Sequence, residues 1–227
     1  DSDCNGSDNP SVTWIQGPEG DDVSAIANLS SFNFPFCGAN YGATGAGGPI
    51  ALFTNGRLWM GTPVGTSADV SDYSESLADL ASDRTIAAYW DDLYVSGIYA
   101  GYIYYAEING ALSVAWVNVS EQSAAERTST RKVSFGLTLY PDGRILYTYG
   151  PNTTAGKDAL VGYACASTPG ETNLSALSYP AGYWGYGSGT ENAIAELYTG
   201  SSDPHDLANT AVRLCGNPNG SLAHCAE

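Results

Sequence analysis

Residues 101–119 read GYIYYAEINGALSVAWVNV, and this stretch decides the fold class. Side chains alternate in polarity on both sides of Asn109-Gly110, the dipeptide that most favours a two-residue type I′ turn. The stretch therefore predicts a β-hairpin. A two-residue loop fixes the register of the two strands and places one set of alternating side chains on a common inner face. That set is Ile103, Tyr105, Leu112, Val114 and Trp116.

The rest of the chain repeats this pattern of short segments between turn signals. Residues 132–140 and 144–149 flank Pro141-Asp142-Gly143 and predict a second hairpin. Its first strand places four apolar residues on one side: Val133, Phe135, Leu137 and Leu139. Further strands are predicted at residues 50–53, 57–60, 85–90, 159–164, 193–198 and 210–214. Helical spacing occurs over residues 74–81, with Ser74 as the predicted cap.

These segments predict an all-β protein: an antiparallel β-sandwich of about nine to ten short strands. The chain has 227 residues, of which 43% are hydrophobic, enough for one sizeable core. We therefore expect a single domain over residues 1–227. Gly-, Tyr- and Ser-rich stretches at residues 38–48, 121–131 and 171–190 are predicted to be loops within it.

The charge balance excludes two classes of partner. Eight Lys and Arg residues face 24 Asp and Glu residues, for a net charge of −16. Binding to nucleic acid needs a basic patch that releases counterions from phosphates, and attraction to anionic lipid also needs basic residues. No stretch approaches the ~20 apolar residues of a membrane span. We therefore expect that the protein does not bind nucleic acid and has no membrane span.

Glycosylation sequons and cysteines indicate the extracellular space. Asn-x-Ser/Thr occurs about two or three times by chance at this composition, but the chain has six copies, at Asn5, Asn28, Asn118, Asn152, Asn173 and Asn219. We expect a secreted glycoprotein whose signal peptide has been removed. Its five cysteines have no C-x-x-C spacing, which favours disulfides over zinc: Cys4, Cys37, Cys165, Cys215 and Cys225. One of the five stays unpaired or joins another chain, and the sequence leaves the pairing open.

Asp91-Asp92, after Tyr89-Trp90 at a predicted strand end, is the best candidate acidic pair. Adjacent residues on a strand point to opposite faces, so the two carboxylates are not expected to converge on one bond as a glycosidase requires. Binding of calcium by Asp91 and Asp92 is the alternative role, and no other cofactor is expected.

An aromatic group marks a candidate binding surface. Four rings fall within one Gly- and Pro-rich segment, and rings of this kind stack on sugars or on a partner protein: Tyr179, Tyr183, Trp184 and Tyr186. The alternative is that these rings fold back and cover one end of the sandwich.

The order of several short motifs resembles the nidogen-like β-sandwich domains of extracellular matrix and cell-surface proteins. The likeness spans about residues 32–164, with the cysteine-bearing N- and C-terminal extensions outside it. The motifs are Phe34-Pro35-Phe36 with Gly38 and Tyr41, Thr54-Asn55-Gly56, residues 86–93, residues 103–105, residues 114–116, residues 135–143, Tyr149-Gly150 and Val161-Gly162. The resemblance implies a non-enzymatic module of matrix, adhesive or surface-appendage proteins, and it transfers no catalytic residue.

Together these features lead us to expect a secreted structural glycoprotein without enzymatic activity. It would assemble with itself, as a subunit of an extracellular filament, appendage or matrix, or with other matrix and surface glycoproteins. The alternative is a carbohydrate-binding, lectin-like adhesion module, in which the aromatic segment 179–186 contacts the sugar.

Overall fold

The computed structural model describes residues 12–63, 74–82, 84–97, 101–122, 132–151, 158–165, 179–180, 193–200 and 202–214. One helix lies within these residues, α1 Leu77–Ser82. The strands are β1 Ile15–Gln16, β2 Gly20–Asp21, β3 Ser24–Ile26, β4 Asn33–Phe36, β5 Ala39–Gly42, β6 Ile50–Phe53, β7 Arg57–Met60, β8 Thr85–Trp90, β9 Leu93–Val95, β10 Tyr102–Ile108, β11 Ala111–Glu121, β12 Val133–Leu139, β13 Ile145–Tyr149, β14 Asp158–Ala164, β15 Tyr179–Pro180, β16 Ala193–Thr199 and β17 Thr210–Leu214.

The strands form two main antiparallel sheets and a separate hairpin. The first sheet follows the order β1-β10-β11-β12-β13-β17-β15, and β9 pairs with the far end of β11 and with β2. The second sheet has six strands in the order β16-β14-β8-β7-β6-β3. Strands β4 and β5 form the hairpin. The predicted all-β, antiparallel sandwich is confirmed.

The central hairpin has the predicted register. Ile103 lies opposite Trp116, and Ile108 lies opposite Ala111. Asn109 and Gly110 have φ values of 51° and 79°, as a type I′ turn requires. All five side chains predicted to share the inner face are buried, as are the four predicted for β12. Local alternation and one turn dipeptide are therefore enough to orient this sheet.

Aromatic side chains join the two sheets across the core. Trp116 and Phe135 stack at 5.0 Å between ring centroids, and Phe135 stacks in turn on Tyr89 of the opposite sheet at 5.3 Å. Trp116 Nε1–H donates to the Phe53 carbonyl at 3.1 Å, and the Tyr149 hydroxyl donates to the Ala88 carbonyl at 2.7 Å. The polar ends of Trp116 and Tyr149 thus find acceptors in the core.

Three sequence predictions need correction. The described residues contain seventeen strands instead of nine or ten, because very short strands such as β1 and β2 have no periodicity of their own. Residues 38–48 are not simply a loop, because β5 lies there and pairs with β4 through a two-residue turn. That turn, Cys37-Gly38, has φ values of 50° and 78°, which is type I′ geometry. Cysteine is not typical of the first position of such a turn, so the sequence did not predict it. Glu121, assigned to a loop, belongs to β11.

The helix begins two residues later than predicted. Ser76, and not Ser74, supplies the cap: the Asp79 backbone N–H donates to Ser76 Oγ at 3.1 Å, and the Ser76 hydroxyl donates back to the Asp79 carboxylate. Ser76 therefore acts as the N-cap residue of the helix, because its side-chain oxygen accepts one of the backbone N–H groups of the first turn. The helix covers Trp90 and Leu160 on the outer face of the six-stranded sheet, where its own Leu80 is buried. Among the described residues, no helix has the length and apolar character that crossing a membrane requires.

Candidate functional site

The buried turn Thr54-Asn55-Gly56 organises one end of the sandwich. Asn55 Nδ2–H donates to Asp22 Oδ1 at 2.9 Å, and Asn55 Oδ1 accepts the Leu93 N–H at 3.2 Å. Thr54 bonds twice to Val23, through its own N–H at 2.9 Å and through Oγ1 at 3.0 Å. A single turn therefore holds the β2–β3 loop and the start of β9 at fixed positions.

Gly56 permits this arrangement because its backbone has a φ of +76° and lies directly against β8. Its carbonyl accepts the N–H groups of Ala88 at 2.9 Å and Tyr89 at 3.2 Å. A Cβ atom at this position would lie 1.8 Å from the Tyr89 carbonyl oxygen. Only glycine fits, for both conformational and steric reasons.

Three carboxylates converge beside the Asn55 turn. One oxygen each of Asp21, Asp22 and Asp92 lies within 4.8 Å of the other two. Three convergent carboxylate oxygens are the ligand type of hard divalent cations such as calcium. Sequence reasoning named Asp92 and missed Asp21 and Asp22, which lie 70 residues away and meet it only because β2 pairs with β9.

Asp91 is separated from this cluster. Its side chain is buried: Oδ1 accepts the Asp92 N–H at 2.7 Å, and Oδ2 has no hydrogen-bond partner among the described residues. Burial raises the pKa of the Asp91 carboxyl well above its ordinary value, and the carboxylates of Glu121 and Glu75 raise it further. The adjacent acids thus have different surroundings, and the structure does not bring them together as a catalytic or ligating pair.

A second buried polar cluster surrounds His205. Its imidazole is 6% exposed and meets the rings of Tyr89, Tyr149 and Tyr198 at centroid distances of 4.9, 5.2 and 4.9 Å, each tilted by more than 60°. Neither imidazole nitrogen has a hydrogen-bond partner within the described part of the chain. Burial lowers the pKa of His205 from 6.5 to about 4. The ring is therefore neutral at physiological pH. Sequence reasoning gave His205 no role.

Two of the six sequons lie in the described residues, and both asparagines are exposed there. Asn28 follows β3, and its backbone N–H donates to the Tyr105 hydroxyl at 3.0 Å. Asn118 lies in a β-bulge of β11 with a φ of 54°. Asn5, Asn152, Asn173 and Asn219 lie outside the described residues.

One disulfide is present in the described residues and joins Cys37 to Cys165, with a Cα–Cα distance of 5.3 Å. It ties the β4–β5 turn to the end of β14, across 128 positions of sequence. The structure thereby selects among the pairings that the sequence left open for these two residues. Cys4, Cys215 and Cys225 lie outside the described residues.

The predicted aromatic surface is largely outside the described residues, which exclude Tyr183, Trp184 and Tyr186. Tyr179 is in β15, where its backbone pairs with Ala211 at the edge of the first sheet.

An antiparallel sandwich closed by an intramolecular disulfide is typical of extracellular domains. A family model described as NIDO related matches residues 7–196, and the chain belongs to this nidogen-related family. Domains of this type are extracellular. No curated protein and no solved structure matches the chain significantly.

Proposed function

We propose that this chain is a secreted, N-glycosylated structural domain that acts by assembling with further copies of itself, and not by catalysis. One observation carries the proposal: the six-stranded sheet ends in β16 on one side and β3 on the other, and each pairs with a single neighbour among the described strands. A sheet with two open edges can continue into the next molecule.

The β16 edge is long and well supported. It has seven residues, and its side chains are held by the core on one face, where Tyr198 is buried, and by the α1 cluster on the other, where Ala195 is buried. A strand fixed on both faces presents its outer N–H and C=O groups in a constant register. Such an edge is a template for strand addition.

The β3 edge offers the complementary end. Ile26 is 51% exposed there and is one of two large hydrophobic side chains exposed among the described residues. Pairing of β3 in one copy with β16 in the next is a heterologous, head-to-tail contact. Such contacts propagate into filaments when they do not close into a ring. The net charge of −16 opposes this association at low ionic strength.

A charge placed on the β3 edge tests the proposal. We expect wild-type protein to form oligomers at high concentration and 0.5 M salt in light scattering and filaments in negative-stain electron microscopy. Ile26→Lys should abolish both, because a charged side chain, lysine especially, on an edge strand opposes pairing with another strand. Ile15→Lys is the matched control, since Ile15 is 39% exposed on the edge of the other sheet. Monomers under every condition, or equal effects of both variants, would refute edge-to-edge assembly.

Glycosylation enters the same test, because Asn28 lies two residues beyond Ile26. The experiment is therefore run on protein with and without N-glycans. If only the unglycosylated protein assembles, N-glycans oppose the association, and Asn28→Gln in glycosylated protein then tests whether the glycan beside the β3 edge is responsible.

Carbohydrate binding is the second candidate. It is favoured by the position of Tyr179 at the edge of the first sheet, in register with the small residues Ala211, Thr148 and Gly136 on neighbouring strands. An aromatic residue in an edge strand is of the type that stacks on sugar rings. A glycan array probed with and without calcium tests this candidate, and the absence of binding in both conditions would refute it.

A further inference from the structure

The sequon at Asn118 lies on the outward face of the first sheet, not in a loop. The β11–β12 register shifts between Trp116 and Val119, and Asn118 occupies the resulting bulge with a φ of 54°. Its side chain is exposed, whereas Val119 and Ser120, the other two residues of the sequon, are buried. The bulge thus lifts one residue of an otherwise packed strand out to the surface.

Two hydrogen bonds join Asn118 to Ser134. The Asn118 backbone N–H donates to Ser134 Oγ at 2.9 Å, and the Ser134 hydroxyl donates to Asn118 Oδ1 at 3.4 Å. The second bond directs the carbonyl side of the side-chain amide toward β12. The nitrogen Nδ2, to which an N-glycan is attached, takes part in neither of them.

A pair of tyrosines lies beside this bulge on the same face of the sheet. Tyr102 pairs with Val117, the residue before Asn118, and its ring lies 5.6 Å from that of Tyr104. The Tyr102 hydroxyl donates to the Gly97 carbonyl at 3.0 Å, which fixes the ring on the surface. Both tyrosines are partly exposed, so the pair offers an apolar surface next to the attachment point.

We propose that the N-glycan carried by Asn118 packs its first sugar against Tyr102 and Tyr104 and so becomes a structural part of the outer face of the first sheet. The sugar covers aromatic surface that water otherwise contacts, and the fixed ring and bulge lower the entropy cost of ordering it. Because Ser120 is 1% exposed in the folded chain, the sugar has to be attached before β11 packs.

Substitution of Ser120 is the cleanest way to remove this glycan. Asn118→Gln would also lose a residue that tolerates positive φ, so its effect on stability would not report the sugar alone. Ser120→Ala destroys the sequon and keeps Asn118. Ser120 Oγ has no hydrogen-bond partner among the described residues, so the substitution itself should be nearly neutral.

The test compares four proteins secreted from a glycosylating eukaryotic host: wild type, Ser120→Ala, Tyr102→Ala and the double variant. Mass spectrometry of glycopeptides establishes occupancy, and urea denaturation gives the unfolding equilibrium constant. We expect Ser120→Ala to raise that constant about fivefold in the wild-type background and to leave it within twofold in the Tyr102→Ala background. The N-acetyl methyl signal of the first sugar should shift upfield by ring current in the wild type only.

Two controls separate the glycan from the substitution. Asn28→Gln removes the other exposed sequon, whose side chain makes no described hydrogen bond, and should change the unfolding constant less than twofold. Ser120→Ala should also be nearly neutral in protein made unglycosylated in a bacterial periplasm. The proposal is overturned if Asn118 is unoccupied while Asn28 is occupied, or if the effect of Ser120→Ala is the same with and without the Tyr102 ring.

Discussion

The buried imidazole of His205 makes a quantitative prediction about pH. In the folded protein its pKa is lowered from 6.5 to about 4, because the ring lies among three tyrosine rings without a described hydrogen-bond partner. Between pH 6.5 and 4 the unfolded chain therefore binds a proton that the folded chain does not. The free energy of unfolding must fall as the pH falls through this window. The pKa difference corresponds to about 3 kcal/mol of stability lost between pH 7 and pH 4.

Other polar groups lie near His205. Burial raises the pKa of Tyr149 and Tyr198 above the ordinary value, so both stay protonated throughout this range, and Glu196 accepts a hydrogen bond from Tyr198 at 2.8 Å. Elsewhere, the raised pKa of Asp91 has the opposite sign, because its folded carboxyl binds a proton first as the pH falls. The contribution of His205 is therefore measured as the difference between the wild type and a variant.

His205→Phe and His205→Leu remove the titrating ring with different volumes. Urea denaturation at pH 7, 6, 5 and 4, with the Cys37–Cys165 disulfide intact, gives the free energy of unfolding for each protein. We expect each variant to show a constant packing offset plus a gain over the wild type that reaches about 3 kcal/mol by pH 4. His224→Phe is the control and should retain the His205 slope. A pH dependence unchanged in both His205 variants would refute the assignment.

Three further predictions concern the Asn55 end of the sandwich. Gly56→Ala should destabilise the fold by about 3 kcal/mol or more, since its Cβ meets the Tyr89 carbonyl at positive φ, and denaturant midpoints measure this loss. Asp91→Asn should stabilise the protein by about 1–2 kcal/mol at pH 7 and lose this advantage on acidification, because burial opposes the charged carboxylate. If Asp92 binds calcium, 5 mM calcium should raise the thermal midpoint of the wild type by a few degrees and leave that of Asp92→Asn unchanged.

Each of these substitutions has a matched control. Gly110→Ala also places alanine at positive φ, at +79°, but its Cβ meets nothing within 4 Å, so it should cost only about 1 kcal/mol. Asp203→Asn changes an exposed carboxylate outside both sites and should be neutral in both tests. Equal losses at Gly56 and Gly110, a destabilised Asp91→Asn at pH 7, or a calcium response that survives in Asp92→Asn would each contradict the corresponding reasoning.

The amino-acid sequence by itself determined the strands that bury one face, together with the register of the 101–119 hairpin. Alternation of side chains is a local property, and Asn109-Gly110 sets the hairpin register within two residues, so Ile103 and Trp116 were correctly placed opposite each other and inside. The nidogen-like motifs led correctly to the family. Asp91 and Asp92 lie between β8 and β9, so the strand period from which their separation was predicted does not apply to them.

Only the tertiary structure decided which distant segments meet. Asp21 and Asp22 join Asp92 because a two-residue strand, too short for any periodic signal, pairs beside β9. The cysteine pairing and the enclosure of His205 by three tyrosine rings depend likewise on how two sheets stack. Local patterns determine which side chains of a strand face the core. Contacts between residues that are far apart in the sequence depend on how the whole core packs, and no short stretch of sequence carries that information.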